Sequence, residues 1–327
     1  MPRRRARGNE ARRQRIRRRL LIFLLLCVAA VIAAGLLRPQ WFLQAALRVD
    51  VWWTGTEQVS VAVGGERIQM LRRGEFGPGR PVWVLVHGFT GMKENWLPLL
   101  RALPAELPVL VPDLPGWGDS ERVAGADYGY AAQADRLAAL LDAQGLDQVV
   151  LVGHSMGGGI SAVMAARHPQ RLRALVLMSA SGIRFQDNAF GQAVLRGEHP
   201  FKVQTTAELR AYLSQVFSEP PWLPWPLPQA MVERRQSDFD FELGVLGSIG
   251  RGGDAFLPAR SALAIQTPTL LLWCRDDAVI DVSAAALYAE ALPRSDTVLL
   301  EGCGHMPMME RPQAAAAALL EWERALP

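Results

Sequence analysis

The sequence predicts a mixed α/β domain on a mostly parallel, eight-stranded sheet, with helices on both faces and a helical cap inserted late in the chain. Three observations carry this expectation. From Pro81 onward, short apolar runs alternate with stretches of helical spacing, the pattern of parallel strands joined by crossover helices. One such run, residues 149–152, passes through Gly153-His154-Ser155-Met156-Gly157 into the helical stretch 160–166, so a serine stands at a sharp strand-to-helix turn. Residues 183–267 break the alternation and carry Pro220-Pro221-Trp222-Leu223-Pro224-Trp225-Pro226-Leu227-Pro228, which places an insertion there.

The chain of 327 residues opens with an Arg-rich tail. Residues 1–19 hold ten Arg and one Glu, a net +9 against +3 for the whole chain, which leaves −6 on the other 308. The body is therefore acidic, and nothing points to nucleic acid as a partner. Residues 20–37 carry no charge. As a helix they extend about 27 Å, enough to cross a bilayer core. Arg38 and Pro39 end the run, and Trp41 and Phe42 follow where interfacial aromatics belong. The Arg excess before the span predicts a single-pass inner (cytoplasmic) membrane protein, N-terminus cytoplasmic and the folded body extracytoplasmic. A cleaved signal peptide competes with this, but the basic and apolar runs are long for one, and its best site, Ala33-Ala34-Gly35, is weak. Cys27 lies mid-span without the small preceding residue of a lipoprotein site, and reads as an apolar membrane residue. Within the juxtamembrane segment 38–57, two readings stand for residues 40–53: an amphipathic helix on the membrane surface, or a linker partly packed on the body.

Residues 58–63 and 67–71 alternate in polarity around Gly64-Gly65 and form a hairpin. A turn-rich connection, 74–81, leads to a buried strand, 81–86, that ends in His87-Gly88-Phe89-Thr90. A helix over 95–103 and a strand over 109–111 precede the turn cluster Asp113-Leu114-Pro115-Gly116-Trp117-Gly118-Asp119-Ser120. A helix over 130–144 stops at Gly145, ahead of the serine turn. Strands follow at 174–178, 269–273 and 297–300, with helices at 282–292 and 312–326. The core is thus 58–182 with 268–327, and the cap 183–267 contains helical pieces at 207–217 and 229–235.

A serine hydroxyl needs a general base, and the base needs an orienting acid. Of five histidines, His154 adjoins Ser155 and should point away from it, His168 ends a helix before Pro169, His199 lies in the cap, and His87 organises its own turn. His305, in a Gly-rich turn after a late strand, is where the base belongs. Asp277, after the strand 269–273, is taken as the acid. Adjacent Asp276 leaves that choice open, while Asp281 stands where a helix N-cap should. The N–H groups of Met156 and Phe89 are candidates for an oxyanion hole.

With these residues in view, the chain resembles α/β-hydrolase-fold serine hydrolases, and among them the membrane-anchored monoacylglycerol lipases and cold-adapted bacterial lipases and esterases. The likeness rests on His87-Gly88-Phe89, the 113–120 turn, 153–158, Pro220-Pro221-Trp222-Leu223-Pro224, and Gly304-His305-Met306-Pro307-Met308-Met309-Glu310, and covers roughly Val59 to the C-terminus. It implies the triad Ser155, Asp277 and His305, and no cofactor or metal. Where that family usually has Gly after the strand Trp, this chain has Cys274. The fold makes the strands ending near 273 and 300 neighbours, within reach of a Cys274–Cys303 disulfide. Two buried free thiols are the alternative.

Phe217, Trp222, Leu223 and Trp225 in the cap are expected to line an apolar substrate site. The reading is a serine hydrolase of carboxylic esters with apolar acyl chains, acting through an acyl-enzyme on a small-molecule ester or lipid, with monoacylglycerols among the candidates. A carbon–carbon bond hydrolase of the same fold and a non-catalytic membrane-tethered binding protein are the alternatives.

Overall fold

The computed structural model describes residues 2–77 and 81–326, with side chains from Gln14 onward. Residues 78–80 of the expected 74–81 connection lie outside the described residues.

Eight strands form one sheet: β1 (Glu57–Val63), β2 (Glu66–Arg73), β3 (Val82–Val86), β4 (Val109–Pro112), β5 (Val149–His154), β6 (Leu172–Met178), β7 (Thr269–Cys274) and β8 (Ser295–Leu300). Their spatial order is β1-β2-β4-β3-β5-β6-β7-β8. Strand β2 is antiparallel to both of its neighbours, β1 and β4, and every pairing among β3 to β8 is parallel. Strands β3, β4, β5 and β7 are buried along their whole length, which is why they read as unbroken apolar runs. The half-exposed β1 alternates instead, as an edge hairpin with one wet face should.

The chain opens in α1 (Pro2–Leu37), one continuous helix that takes in both the Arg-rich tail and the apolar run. Its segment Gln14–Leu37 has a mean hydropathy of 3.1 in the most apolar window, of which 6% is buried. Arg38 leaves helical geometry, and α2 (Pro39–Trp53) begins on the proline. Of the two readings for this stretch, the structure takes neither whole. The segment is helical but docked on the body, with Gln40 Nε2 donating to Ala230 O at 2.7 Å and Trp41, Trp52 and Trp53 left exposed.

The remaining helices are α3 (Leu97–Ala102), α4 (Tyr130–Ala143), α5 (Met156–Arg167), α6 (Ala189–Leu195), α7 (Thr206–Val216), α8 (Leu227–Gln236), α9 (Phe239–Arg251), α10 (Leu257–Ala262), α11 (Ser283–Ala291), α12 (Pro307–Glu310) and α13 (Pro312–Ala325). They pack in two sets, α4-α5-α10-α11 and α3-α12-α13, flanking the sheet. Trp83, Trp96, Trp273, Tyr130 and Tyr288 are the largest side chains fully enclosed in the core.

Between β6 and β7, helices α6 to α9 make the cap. Helices α7 and α8 fall within two residues of the ranges read from the sequence. Helices α6 and α9 were not anticipated. The cap meets the core through aromatic rings: Phe89 lies 5.1 Å from Trp117 and 6.0 Å from Phe201, and Trp117 lies 4.9 Å from Phe241.

Candidate active site

Strand β5 delivers Ser155 to the point where α5 begins. Its φ of 53° and ψ of −118° are unfavourable for a residue with a Cβ, and three hydrogen bonds hold it there. Its N–H donates to Met178 O (3.0 Å), and its carbonyl accepts from Gly159 (3.1 Å) and Ser181 (3.0 Å). The turn is closed from behind: a Cβ at Gly157 would collide with the carbonyl oxygens of Val86 and His87. Met156 is the first residue of α5, so its N–H has no carbonyl inside the helix to reach. Phe89 follows the end of β3, and a Cβ added to its neighbour Gly88 would lie 2.9 Å from Ser155 Cβ, so this turn abuts the serine.

The Phe89 turn is braced by a histidine whose tautomer is settled by its partners. His87 Nδ1–H donates to Gly88 O (2.8 Å), and His87 Nε2 accepts from Leu114 N (3.0 Å). The ring is therefore neutral, in line with complete burial, which depresses its pKa against the pull of Asp113. Beneath it, fully buried Lys93 reaches Asp113 Oδ2 (2.8 Å) and Asp119 Oδ2 (2.7 Å). Burial works against that ammonium, but Asp113 and Glu94 outweigh it and raise its pKa. This buried ion pair ties the 113–120 turn to the Phe89 turn.

Asp277 and His305 meet at the carboxyl ends of β7 and β8. Asp277 Oδ2 is 2.8 Å from His305 Nδ1, and Asp277 Oδ1 accepts from the N–H groups of Val279 and Ile280, both at 2.9 Å. With Nδ1–H donated to the carboxylate, Nε2 is left as the basic nitrogen. Both side chains are buried, whereas Asp276 is exposed. Asp281 accepts from Ser283 N (2.9 Å) at the start of α11. The chain around His305 is clamped three ways: its N–H donates to Val216 O (2.9 Å), Glu310 accepts from Gly304 N (2.9 Å) and Ser218 N (2.7 Å), and Cys303 is disulfide-bonded to Cys274 with Cα atoms 5.5 Å apart.

Sequence reasoning set His154 aside as pointing away from the serine. Its ring does leave Ser155, but it reaches His305 O with Nε2 at 2.7 Å and lies 4.8 Å from the His305 ring. A carbonyl can only accept, so Nε2 carries the proton. Burial, then the neighbouring His305, depresses its pKa well below the ordinary value and keeps it neutral. Glu310 was quoted in the sequence only as part of a motif. Its position six residues after Gly304 was the available signal, but its bridge to Ser218 depends on the cap's placement.

Ser155 sits where two cavities meet. One, of about 210 Å³, is lined by apolar side chains including Phe185, Phe190, Val194, Leu246 and Ile249, together with Phe89 and Met156. The other, of about 40 Å³, is lined by Ser155, His305, Gly88, Phe89 and Tyr212 among others. The expected substrate-contact set requires correction: Phe217, Trp222, Leu223 and Trp225 line neither cavity. Phe217 and Leu223 pack in the cap's own small core, Trp222 is 84% exposed, and Trp225 lies against Gly35 of α1. The cap does roof the serine, but with α6 and α9, whose apolar residues are spread along the sequence instead of gathered in one aromatic run. Among the described residues no group of three or more His, Cys, Asp or Glu could hold a metal ion.

Residues 81–312 match the alpha/beta hydrolase fold family. The chain belongs to the α/β-hydrolase fold family. Over 308 residues it is 28% identical to monoacylglycerol lipase ABHD6 of Homo sapiens, an alignment covering 90% of each chain. It is 30% identical over 237 residues to Lipase 1 of Psychrobacter immobilis, covering 71% of this chain and 73% of that one. Among solved structures, a membrane phospholipase A described as a bacterial virulence factor superposes with a TM-score of 0.84 at 33% identity, over 94% of this chain and 99% of that one. These α/β-hydrolase relatives establish the chain as a hydrolase.

Proposed function

We propose that this protein hydrolyses carboxylic esters with apolar acyl chains, using Ser155 as nucleophile, His305 as general base and acid, and Asp277 to orient and stabilise the imidazolium. One observation carries the reading: Ser155 stands at the junction of an apolar cavity and a small cavity that holds His305, whose other ring nitrogen is bonded to buried Asp277.

Ser155 Oγ adds to the ester carbonyl as its proton passes to His305 Nε2. The tetrahedral oxyanion receives the N–H groups of Met156 and Phe89. A pair of this kind contributes about 3–4 kcal/mol per donor to the transition state. The intermediate collapses by breaking the bond to the alcohol oxygen, which takes the proton from His305. The alcohol therefore departs on the His305 side, and the acyl chain occupies the apolar cavity. Water, activated by His305, then releases the acid and restores Ser155, so ester and water become acid and alcohol.

The relatives named as a monoacylglycerol lipase and a membrane phospholipase A support a lipid ester as substrate. Helix α1 is read as an uncleaved anchor crossing the cytoplasmic membrane, with the Arg-rich end inside and the catalytic body outside. Turnover of monoacylglycerols and of p-nitrophenyl esters of graded acyl length tests the reading, with a vinylogous diketone as control. Ester hydrolysis that rises with acyl length until the cavity is filled is expected. Cleavage of the diketone without ester turnover would replace it with carbon–carbon chemistry.

A further inference from the structure

No residue of the aromatic cap segment 220–228 lines either cavity at Ser155, and its position relative to α1 indicates what it faces instead. The indole of Trp225 lies directly on Gly35, and any Cβ at Gly35 would overlap the ring. Gly35 is two residues before the end of α1, about 3 Å along the axis. Leu36 and Leu37 beside it are 69% and 76% exposed, so lipid or water must cover them. Gln40 fixes the same junction from the α2 side through Ala230 O at 2.7 Å. The segment is thus held level with the last turn of the apolar helix. Trp222, three residues from Trp225 and 84% exposed, extends that apolar surface, as does exposed Trp41.

We infer that residues 220–228 form a membrane-contact element, with the indoles of Trp222 and Trp225 resting in the headgroup layer of a phospholipid bilayer. The inference rests on the reading of α1 as a membrane span. Continuity with that helix selects a bilayer as the occupant over a protein partner, because the surface begins where the span ends. Residue types agree: indoles favour the boundary between hydrocarbon and headgroups, and of the five prolines Pro220, Pro221 and Pro224 restrict the backbone on either side of Trp222. The consequence is that the cap, which carries the roof of the acyl cavity, is fixed against the lipid surface.

The full-length protein reconstituted into phosphatidylcholine vesicles tests this. With brominated acyl chains in the vesicles, Trp222→Ser should remove part of the quenched indole emission. Hydrolysis of a monoacylglycerol in the vesicles should fall about five- to tenfold, the scale of losing one aromatic side chain's interfacial burial. Turnover of soluble p-nitrophenyl butyrate and the Tm should not change. Gly35→Val, which wedges Trp225 off the helix, should give the same selective loss. An equal loss on both substrates would overturn the inference by placing Trp222's effect in the catalytic body. Unchanged quenching and vesicle hydrolysis, with the protein still resisting alkaline carbonate extraction, would overturn it while leaving the anchor standing. Extraction of the wild type by carbonate would remove the anchor and this inference together.

Discussion

His154 Nε2 and the main-chain oxygen of His305 are 2.7 Å apart, so the residue that precedes the proposed nucleophile holds in place the loop of its proposed base. The bond is buried and spans 151 residues of sequence. It also constrains charge. When His305 takes the serine proton, a second cation at a ring distance of 4.8 Å would oppose it, and the low pKa of His154 prevents that.

His154 should therefore act as a positioning residue. His154→Leu removes the donor and should lower kcat about tenfold with little change in KM, the scale of one buried hydrogen bond. His154→Gln can place an amide N–H near the former Nε2 and should recover most of the loss. Equal defects in both variants, tracking only a lower Tm, would reduce His154 to packing.

The Cys274–Cys303 bond joins the strand end leading to Asp277 with the loop carrying His305, across a sequence separation of 29. Replacing both cysteines with Ala should cost up to about 3–4 kcal/mol by the chain-entropy argument for a loop of that size. It should also lower kcat more than KM, because the loops of Asp277 and His305 lose a shared tether. Denaturant unfolding and steady-state kinetics on the double variant check both. An unchanged midpoint would show that the remaining hydrogen bonds suffice.

Glu310 accepts N–H groups from both the His305 loop and the end of the cap helix α7. Glu310→Ala leaves three donors, the N–H groups of Gly304, Met306 and Ser218, without that partner. A loss of about 1–3 kcal/mol in stability is expected, with a fall in ester turnover. Wild-type turnover and Tm together would contradict the clamp.

Burial holds the pKa of both His87 and His154 below the ordinary value in the folded protein, His154 well below. In the unfolded chain both take up a proton near pH 6.5. The unfolded state thus binds more protons below that pH, and stability falls as pH falls. The penalty approaches about 1.4 kcal/mol per pH unit for each histidine until its folded value is reached. Thermal melts should be level from pH 7 to 8 and decline from 6.5 to 5. His154→Gln should flatten the decline. An identical slope in that variant would assign the effect to other groups.

The sheet and the serine turn were legible because local signals and tertiary role coincide there. Residues 149–152 are apolar throughout since β5 is buried on both faces, and Gly153 answers to a backbone contact within the turn itself, the carbonyl of Gly157. The cap was less legible. The residues that line the apolar cavity are spread over α6, α9 and the 182–187 loop, so no run announces them. The conspicuous Trp-Pro segment was read as the substrate wall, but which way it faces is set by the docking of α1 and α2, a contact about 190 residues away in sequence. The role of His154 was hidden for the same reason: spacing places it beside Ser155, but only the folded His305 loop supplies its acceptor.

The central claim is that Ser155 forms the acyl-enzyme. Turnover of p-nitrophenyl butyrate by Ser155→Ala against the wild type tests it most directly. The account predicts a fall on the order of 10⁶-fold in kcat, as for loss of a triad serine, with the variant still folded by its thermal melt. A Ser155→Ala protein that hydrolyses the ester at the wild-type rate would contradict it.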